Sequence, residues 1–217
     1  MRRFAILDAP QRSEDWFAAR LGRVTGSRAE DVLASIKSGE AAKRRDYRME
    51  LVTERLTGCS AEAPYVNDDM QRGIDLEPQA FALYEALTGR LVDRTGFLSH
   101  LDLMAGCSLD GHVGDFEGLI EIKCPRSANH LTNLRAKGVP AKYLPQIRHN
   151  LWITGAAWCD FVSFDPRWPE EYRLHIARVL RDDVDLAGYE AEVRRFLADV
   201  DNEVQALKGW RAVEGVA

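Results

Sequence analysis

The chain has 217 residues, of which 46% are hydrophobic and 29% are charged, and its formal net charge is −5. This composition is typical of a globular protein, and the length is compatible with a single domain over residues 1–217. No apolar run approaches the ~20 residues of a membrane span, and the negative charge argues against a protein that coats duplex DNA through its phosphates.

The first residues and the cysteines indicate the compartment. Residues 1–12 start with basic residues but carry only a short apolar patch, so we expect no signal peptide. The cysteines lack any CxxC spacing, which argues against a zinc site and favours reduced thiols in a cytoplasm. They are Cys59, Cys107, Cys124 and Cys159.

The N-terminal segment predicts two short helices. The first covers residues 13–21, and the second begins at a capping box formed by Ser27 and Glu30 and runs toward Lys37. In this interpretation Ser27 only caps a helix. The free N–H groups of a helix N-terminus and the planar guanidinium of Arg20 would also suit a terminal phosphate.

Two longer helices follow in the sequence. The apolar spacing predicts them over residues 45–56 and from Asn67 to about residue 87. Glu77 lies in the second helix, where a glutamate is ordinarily exposed, and Pro78 after it predicts a kink or a new helix start. Met70 is expected to make a core contact, with an apolar wedge at a DNA junction as the alternative.

Residues 106–125, with the sequence GCSLDGHVGDFEGLIEIKCP, form the most informative segment. Strands predicted over 91–98 and 101–109 lead to Asp110, and a glycine-rich turn follows. In the next strand, side chains two residues apart share a face, so Glu121 and Lys123 point one way while the isoleucines point into a core. The turn can bring Asp110 beside Glu121.

Two carboxylates and an amine at one strand end suit a metal-dependent phosphodiesterase. Hard oxygen ligands bind Mg²⁺ or Mn²⁺, and two such ions ~3.5–4 Å apart contact the attacking and leaving oxygens of a phosphodiester. Lys123 would then orient or deprotonate the attacking water. The alternative is an exposed hairpin on which Glu121 and Lys123 form a solvated pair.

The rest of the chain predicts two helices, two strands and a terminal helix. The helices cover residues 127–138 and 140–154, the second of which carries Gln146, and the strands cover 157–164 and 172–180. An amphipathic pattern predicts a C-terminal helix at about 183–208, whose apolar face packs on the domain or on another subunit. The five histidines show no ligand-pair spacing, so we leave them outside the site.

These residues resemble the PD-(D/E)XK nuclease superfamily and, more narrowly, the phage lambda exonuclease or YqaJ-like viral recombinase family. The resemblance rests on CSLDG followed by LIEIKCP and on three blocks in the family's order: WFAARLGRVTGS at 16–27, GIDLEPQA at 73–80 and YLPQIRHNLWIT at 143–154. The family usually has a proline before the metal-binding aspartate, where this chain has Leu109. Since proline is not a ligand, the difference concerns the local turn.

The resemblance implies an α/β fold with a central mixed β-sheet flanked by helices and a restriction-endonuclease-like core. It implies a 5′→3′ exodeoxyribonuclease that uses two Mg²⁺ or Mn²⁺ ions per site. Such an enzyme degrades one strand of linear double-stranded DNA from 5′-phosphorylated ends, for single-strand-annealing recombination. The implied partners are DNA ends, two further copies in a homotrimer ring and a single-strand annealing protein, in the cytoplasm of a bacterial or phage-infected cell.

The resemblance also assigns roles to residues that would act in catalysis, namely Asp110, Glu121, Lys123, Glu77 and Gln146. The first two would bind the metals together with the Ile122 carbonyl oxygen. Lys123 would act on the attacking water, and Glu77 and Gln146 would tune the position of that water.

Three further residues would bind the 5′-phosphate in the family's arrangement: Arg20, Ser27 and Ser108. Two alternatives stay open for the function. One is an endonuclease of the restriction or junction-resolving type, which needs no terminal-phosphate pocket. The other is a DNA-binding module that has lost catalysis.

Overall fold

The computed structural model describes residues 2–8, 10–61, 67–136 and 138–210. Its strands are β1 (Phe4–Leu7), β2 (Val24–Thr25), β3 (Phe97–His100), β4 (Ala105–Cys107), β5 (Gly111–Val113), β6 (Gly118–Lys123), β7 (Trp158–Phe164) and β8 (Leu174–Leu180). Its α-helices are α1 (Glu14–Arg20), α2 (Ala29–Leu33), α3 (Ala42–Thr57), α4 (Asp68–Thr88), α5 (Ser127–Arg135), α6 (Leu144–Thr154) and α7 (Leu186–Gly209).

The strands form two four-stranded sheets, each of which mixes parallel and antiparallel pairs. The first has the order β1-β3-β4-β2, in which β2 and β4 are parallel and the other pairs antiparallel. The second has the order β5-β6-β7-β8, in which β6 and β7 are parallel and the outer pairs antiparallel. The expected α/β class with mixed sheets and flanking helices is confirmed, but the sheet is divided because the chain leaves the first ladder between β4 and β5.

The central strand of the site, β6, is buried on both faces. Ile120 and Ile122 pack toward α4 in a cluster that includes Phe81 and Tyr84, whereas Leu119 faces the larger core on the other side. Burying an isoleucine side chain contributes about 2 kcal/mol. The apolar face therefore fixes β6, and the opposite face carries its charged side chains at fixed positions.

The two longest helices agree with their sequence predictions. The Asn67 side chain accepts a hydrogen bond from the Met70 N–H at 2.9 Å at the start of α4, which ends at Gly89 with φ 66°. Pro78 lies within α4, so the alternative of a new helix start is wrong. The apolar face of α7 packs on the domain itself, with Tyr189, Val193, Phe196, Leu197, Val200 and Val204 buried.

None of the helices in the described ranges combines the length and apolar character that a membrane span needs.

The capping-box prediction for Ser27 is wrong. Gly26–Arg28 forms a 3₁₀ turn, and α2 begins after it at Ala29 and ends at Leu33 instead of near Lys37. The Ser27 hydroxyl oxygen lies 3.4 Å from the Thr25 hydroxyl oxygen and caps no helix. The turn packs against α6, and this tertiary contact overrides the local motif.

The predicted strands over 91–98 and 101–109 are too long, since β3 has four residues and β4 three. Leu91 and Leu101, which extended the apolar pattern, are 80% and 59% exposed in loops. Ser127, the expected cap of the next helix, instead donates a hydrogen bond to the Asp165 carboxylate at 2.5 Å. That helix, α5, ends at Arg135 rather than near residue 138.

A buried histidine on α6 joins three elements. The Nε2 of His149 lies 2.9 Å from the Gly106 carbonyl oxygen of β4, and its Nδ1 lies 2.7 Å from the Tyr189 hydroxyl of α7. Burial lowers the pKa of His149 to about 4, so the imidazole is neutral near neutral pH.

We expect acid to destabilise the fold through His149. Its pKa is about 4 in the folded protein and about 6.5 in an unfolded chain, so the unfolded chain binds the additional proton. The contribution is fully present above pH ~6.5, is lost as the pH falls through the folded pKa, and amounts to about 3 kcal/mol in total. Urea unfolding at about pH 7.5 and about pH 5 measures it. A His149→Gln variant whose free energy of unfolding keeps the wild-type pH dependence would contradict the assignment, and His112→Gln, at a histidine of β5 that contacts Gly114 and Phe116 instead, is the control.

Candidate active site

The loop after β4 places Asp110 against β6. The Asp110 Oδ2 accepts a hydrogen bond from the Ile122 N–H at 2.7 Å, and the β5–β6 register pairs Gly111 with Ile120. The turn therefore brings Asp110 beside the charged face of β6, as the sequence predicts. Gln11 donates a hydrogen bond from Nε2 to the Leu109 carbonyl oxygen at 2.8 Å, which fixes the loop at the position where the family usually has proline.

Glu121 and Lys123 share one face of β6, and the pair is not a solvated hairpin pair. The Lys123 Nζ lies 2.5 Å from the Glu121 Oε1, and Glu121 is 0% exposed. The other carboxylate oxygen, Oε2, accepts a hydrogen bond from the Asn150 Nδ2 of α6 at 3.3 Å. A buried carboxylate with both oxygens engaged is positioned rather than free to rotate.

The charged side chains on and near β6 shift one another's pKa values. Burial raises the pKa of Glu121, Lys123 opposes that rise, and the charges of Asp110 and Glu77 add to it. Burial disfavours the Lys123 ammonium, but Glu121 and Asp110 outweigh this and raise the Lys123 pKa. The cluster therefore holds surplus negative charge in a desolvated place, where a cation would be stabilised.

Glu77 is half-buried on α4 and faces this cluster rather than bulk solvent. Burial raises its pKa, and the Asp110 charge raises it further, while Arg94, whose Nη2 lies 3.6 Å from the Glu77 Oε1, lowers it. The structure thus brings a third carboxylate into electrostatic contact with the first two. We call Asp110, Glu121, Lys123 and Glu77 the carboxylate centre.

The carboxylate centre offers oxygen donors of the kind that Mg²⁺ and Mn²⁺ prefer. Within a strand, the N–H and C=O of one residue point to the same edge, so the Ile122 carbonyl points to the edge where Asp110 lies. In the described part of the chain, no three His, Cys, Asp or Glu side chains form a ready-made ligand cluster. The donor set, two carboxylates and a peptide oxygen in a desolvated acidic site, nevertheless fits a hard divalent cation.

A second feature is a pocket of about 340 Å³ lined by residues of α1, α3, α4 and the 3₁₀ turn. Four of its lining residues are arginines, and we call it the arginine pocket; they are Arg12, Arg20, Arg23 and Arg28. Two of the three residues predicted to bind phosphate, Arg20 and Ser27, line it directly. Its composition suits an anion.

Arg20 forms no salt bridge within the described ranges, although the charge of Glu54, which also lines the pocket, acts on it. Its guanidinium stacks over the Trp16 ring at 4.1 Å from the centroid, and burial lowers its pKa. The Trp16 Nε1 donates a hydrogen bond to the Ser108 Oγ at 2.8 Å. Ser108 is therefore joined to the arginine pocket through Trp16, and it stands two residues before Asp110.

Two polar residues of α6 lie against the 3₁₀ turn. A Cβ added at Gly26 would lie 3.6 Å from the Gln146 Cγ and 2.7 Å from the Asn150 Oδ1, so both side chains approach the 3₁₀ turn. Asn150, not Gln146, has a hydrogen bond to Glu121. The structure therefore places Gln146 beside Gly26, one helical turn before the residue that contacts the carboxylate.

Asn150 and Trp16 are the contributors that the sequence did not single out. An asparagine in a helix gives no periodic signal, and its contact with Glu121 crosses 29 positions. Trp16 was visible only as part of the WFAAR block. Met70 is 53% exposed and lines the arginine pocket, so the expected core contact is wrong.

Comparison with known families bears on this site. The YqaJ-like viral recombinase domain matches residues 15–157, which include all the predicted site residues. The chain belongs to this family. Comparison with curated proteins finds no significant match.

Solved structures agree with membership of the YqaJ-like family. The chain is 42% identical to LHK-Exo, an alkaline exonuclease from Laribacter hongkongensis, with 90% of this chain and 96% of that chain covered and a TM-score of 0.80. The LHK-Exo complex with dAMP gives a TM-score of 0.81 at the same identity and coverage. A phage-related exonuclease from Haemophilus somnus 129PT, at 17% identity, TM-score 0.66, and coverage of 86% and 95%, shares the fold. The YqaJ-like chain is thus a nuclease of the lambda exonuclease type with a restriction-endonuclease-like fold.

Proposed function

We propose that this protein is a metal-dependent 5′→3′ exonuclease that degrades one strand of linear duplex DNA from 5′-phosphorylated ends and supports single-strand-annealing recombination. One observation carries the proposal: Ser108, which is hydrogen-bonded to the Trp16 wall of the arginine pocket, and Asp110 stand on one loop. Their Cα atoms are at most ~7 Å apart. A terminal phosphate held in the pocket would present the next phosphodiester to the carboxylate centre, and this order fixes the polarity.

The hydrolytic roles follow from the donor set. Asp110, Glu121 and the Ile122 carbonyl oxygen would together hold the two ions. When bound, two Mg²⁺ or Mn²⁺ ions supply Lewis acidity for the attacking and leaving oxygens. Lys123 would orient or deprotonate the attacking water, since the carboxylates that raise its pKa would then be paired with cations.

Glu77 and Gln146 would act on the same water from either side. Glu77 belongs to the carboxylate centre through its interaction with Asp110, and Gln146 lies beside Gly26 on the pocket side. We also propose, from the family resemblance, a homotrimer ring that threads duplex DNA and an annealing protein that coats the exposed strand. Light scattering in solution tests the ring.

The polarity is tested with linear duplexes labelled at either terminus, with Mg²⁺ and with chelator. Loss of the 5′-terminal label first, only with metal, supports the proposal. A covalently closed circular duplex should stay intact, whereas nicking of the circle would indicate an endonuclease. Binding without any cleavage would indicate a DNA-binding module.

Replacing Arg20 by alanine should reduce the preference for 5′-phosphorylated over 5′-hydroxyl ends by at least about tenfold. The guanidinium lines the pocket and forms no salt bridge with another described residue, so its charge-assisted contact with the phosphate, worth roughly 1.5–3 kcal/mol, would be lost. The ratio of digestion rates on the two substrates measures the effect. Arg194→Ala, which removes an arginine paired with Glu190 on the outside of α7, is the control. An unchanged ratio in the Arg20 variant would remove Arg20 from the pocket's function.

A further inference from the structure

Arg12 lies where the arginine pocket meets the carboxylate centre. Its side chain lines the pocket together with Arg20 and Ser27. The same guanidinium is close enough to Glu77 to oppose the rise in that carboxyl's pKa. Arg12 therefore occupies the boundary between the two halves of the site.

The backbone holds Arg12 in a conformation that arginine rarely adopts. Its φ is 72°, in the left-handed region, which costs a residue with a Cβ roughly 1–2 kcal/mol. Hydrogen bonds hold the turn on both sides of Arg12. The Ser13 N–H donates to the Pro10 carbonyl oxygen at 3.0 Å, and the Gln11 Nε2 donates to the Leu109 carbonyl oxygen at 2.8 Å. Because Leu109 precedes Asp110, Arg12 is held in a fixed relation to the carboxylate centre.

The Arg12 guanidinium is available to a ligand. Its side chain is exposed, and neither a hydrogen bond nor an ion pair joins the guanidinium to another residue of the described ranges. Arg28, another arginine of the pocket, is instead paired with Asp31 at 2.6 Å and Glu50 at 2.8 Å. An unpaired cation kept in a strained conformation beside a site for phosphates indicates an anionic ligand.

We propose that Arg12 binds the first internucleotide phosphate of the bound strand, between the terminal nucleotide and the next one. This inference rests on the proposed function, because it takes the arginine pocket as the site of the terminal phosphate and the carboxylate centre as the site of hydrolysis. That phosphate is the phosphodiester presented to the carboxylate centre, and Arg12, which lines the pocket and interacts with Glu77, would contact it from the pocket side. Arg12 would thereby help to select a DNA strand end, through a contact separate from that of Arg20 with the terminal phosphate.

The test pairs a change in the protein with a change in the DNA. A duplex with one open 5′-phosphorylated end carries a neutral methylphosphonate at the first linkage, and a second duplex carries it at the sixth linkage as a control. Fluorescence anisotropy measures binding with chelator present, so that no metal contributes. The protein variants are Arg12→Gly, which suits a φ of 72° and should fold, and Arg12→Lys, which keeps the charge.

We expect the neutral first linkage to weaken binding by wild-type protein by about tenfold and binding by Arg12→Gly by less than about twofold. Arg12→Lys should retain part of the wild-type sensitivity, and the sixth-linkage duplex should respond alike in all proteins. An Arg12→Gly variant as sensitive as the wild type, or a wild type insensitive to the first linkage, would overturn the inference. Equal binding of 5′-phosphoryl and 5′-hydroxyl ends in the same assay would contradict the proposed function instead, and the Arg12 comparison would still be readable.

Discussion

Replacing Lys123 by alanine should reduce DNA cleavage by about 10²–10⁴-fold, the range for loss of a general acid or base, while duplex binding survives. The Lys123 Nζ is the amine next to Glu121, at 2.5 Å from its Oε1. Removing it leaves the Glu121 carboxyl buried without its cationic partner. Because burial already raises the pKa of Glu121, that carboxyl can take up a proton, and the domain should still fold.

The matched control for Lys123 is Lys142→Ala. Both amines lie near the Tyr143 ring, at 5.9 Å for Lys123 and 4.7 Å for Lys142, but Lys142 is exposed and has no contact with Glu121. Single-turnover digestion of a labelled duplex measures cleavage, and a gel-shift with chelator measures binding. If Lys123→Ala digests DNA at close to the wild-type rate, the assignment of Lys123 to the water is wrong.

Replacing Asp110 by asparagine should abolish metal-supported cleavage, with a loss of at least about 10³-fold, since metal ions contribute several kcal/mol to such reactions. The asparagine side chain keeps an oxygen that can accept the hydrogen bond from the Ile122 N–H, so the β5–β6 geometry should persist. What disappears is one negative charge from the carboxylate centre.

The Asp110 prediction has a measurement that does not depend on turnover. Isothermal titration calorimetry with Mn²⁺ should show binding to the wild type and at least about tenfold weaker binding to Asp110→Asn. Asp115→Asn changes an aspartate in the same hairpin whose side chain is 78% exposed and pairs with Arg2. This control should bind and cleave normally, and equal Mn²⁺ affinity in all three proteins would exclude Asp110 as a ligand.

Local sequence patterns predict the elements whose pattern extends over many residues or has a recognisable residue at both ends. The apolar repeat of α7 and the cap-to-glycine signal of α4 extend over many residues, and the alternating strands β7 and β8 lie on either side of a clear turn. The central strand β6 is predictable for the same reason, because its isoleucines alternate with Glu121 and Lys123.

The sequence does not predict the elements whose structure depends on contacts with distant parts of the chain. Ser27 has the residue type of a helix cap but lies in a 3₁₀ turn packed on α6, and Ser127 binds the Asp165 carboxylate rather than the helix it begins. The division into two sheets depends on the path between β4 and β5, which no periodicity encodes. The overlong strand predictions arose because apolar residues such as Leu91 lie in exposed loops.

One part of the candidate site can likewise be predicted from the sequence, and the other part cannot. The proximity of Asp110, Glu121 and Lys123 follows from strand geometry and one turn, so it can be read from residues 106–125. The contact of Asn150 with Glu121 and that of Trp16 with Ser108 join segments 29 and 92 positions apart. Such contacts depend on packing of whole elements, and a single sequence does not specify them.

The position of α6 limits how the two halves of the enzyme can move. This helix touches β3 and β4 of one sheet and β6 and β7 of the other, and it carries both Gln146 and Asn150. Any fluctuation that displaces α6 would loosen both the 3₁₀ turn beside the arginine pocket and the contact of Asn150 with Glu121, so the two regions should behave as one cooperative unit in hydrogen exchange.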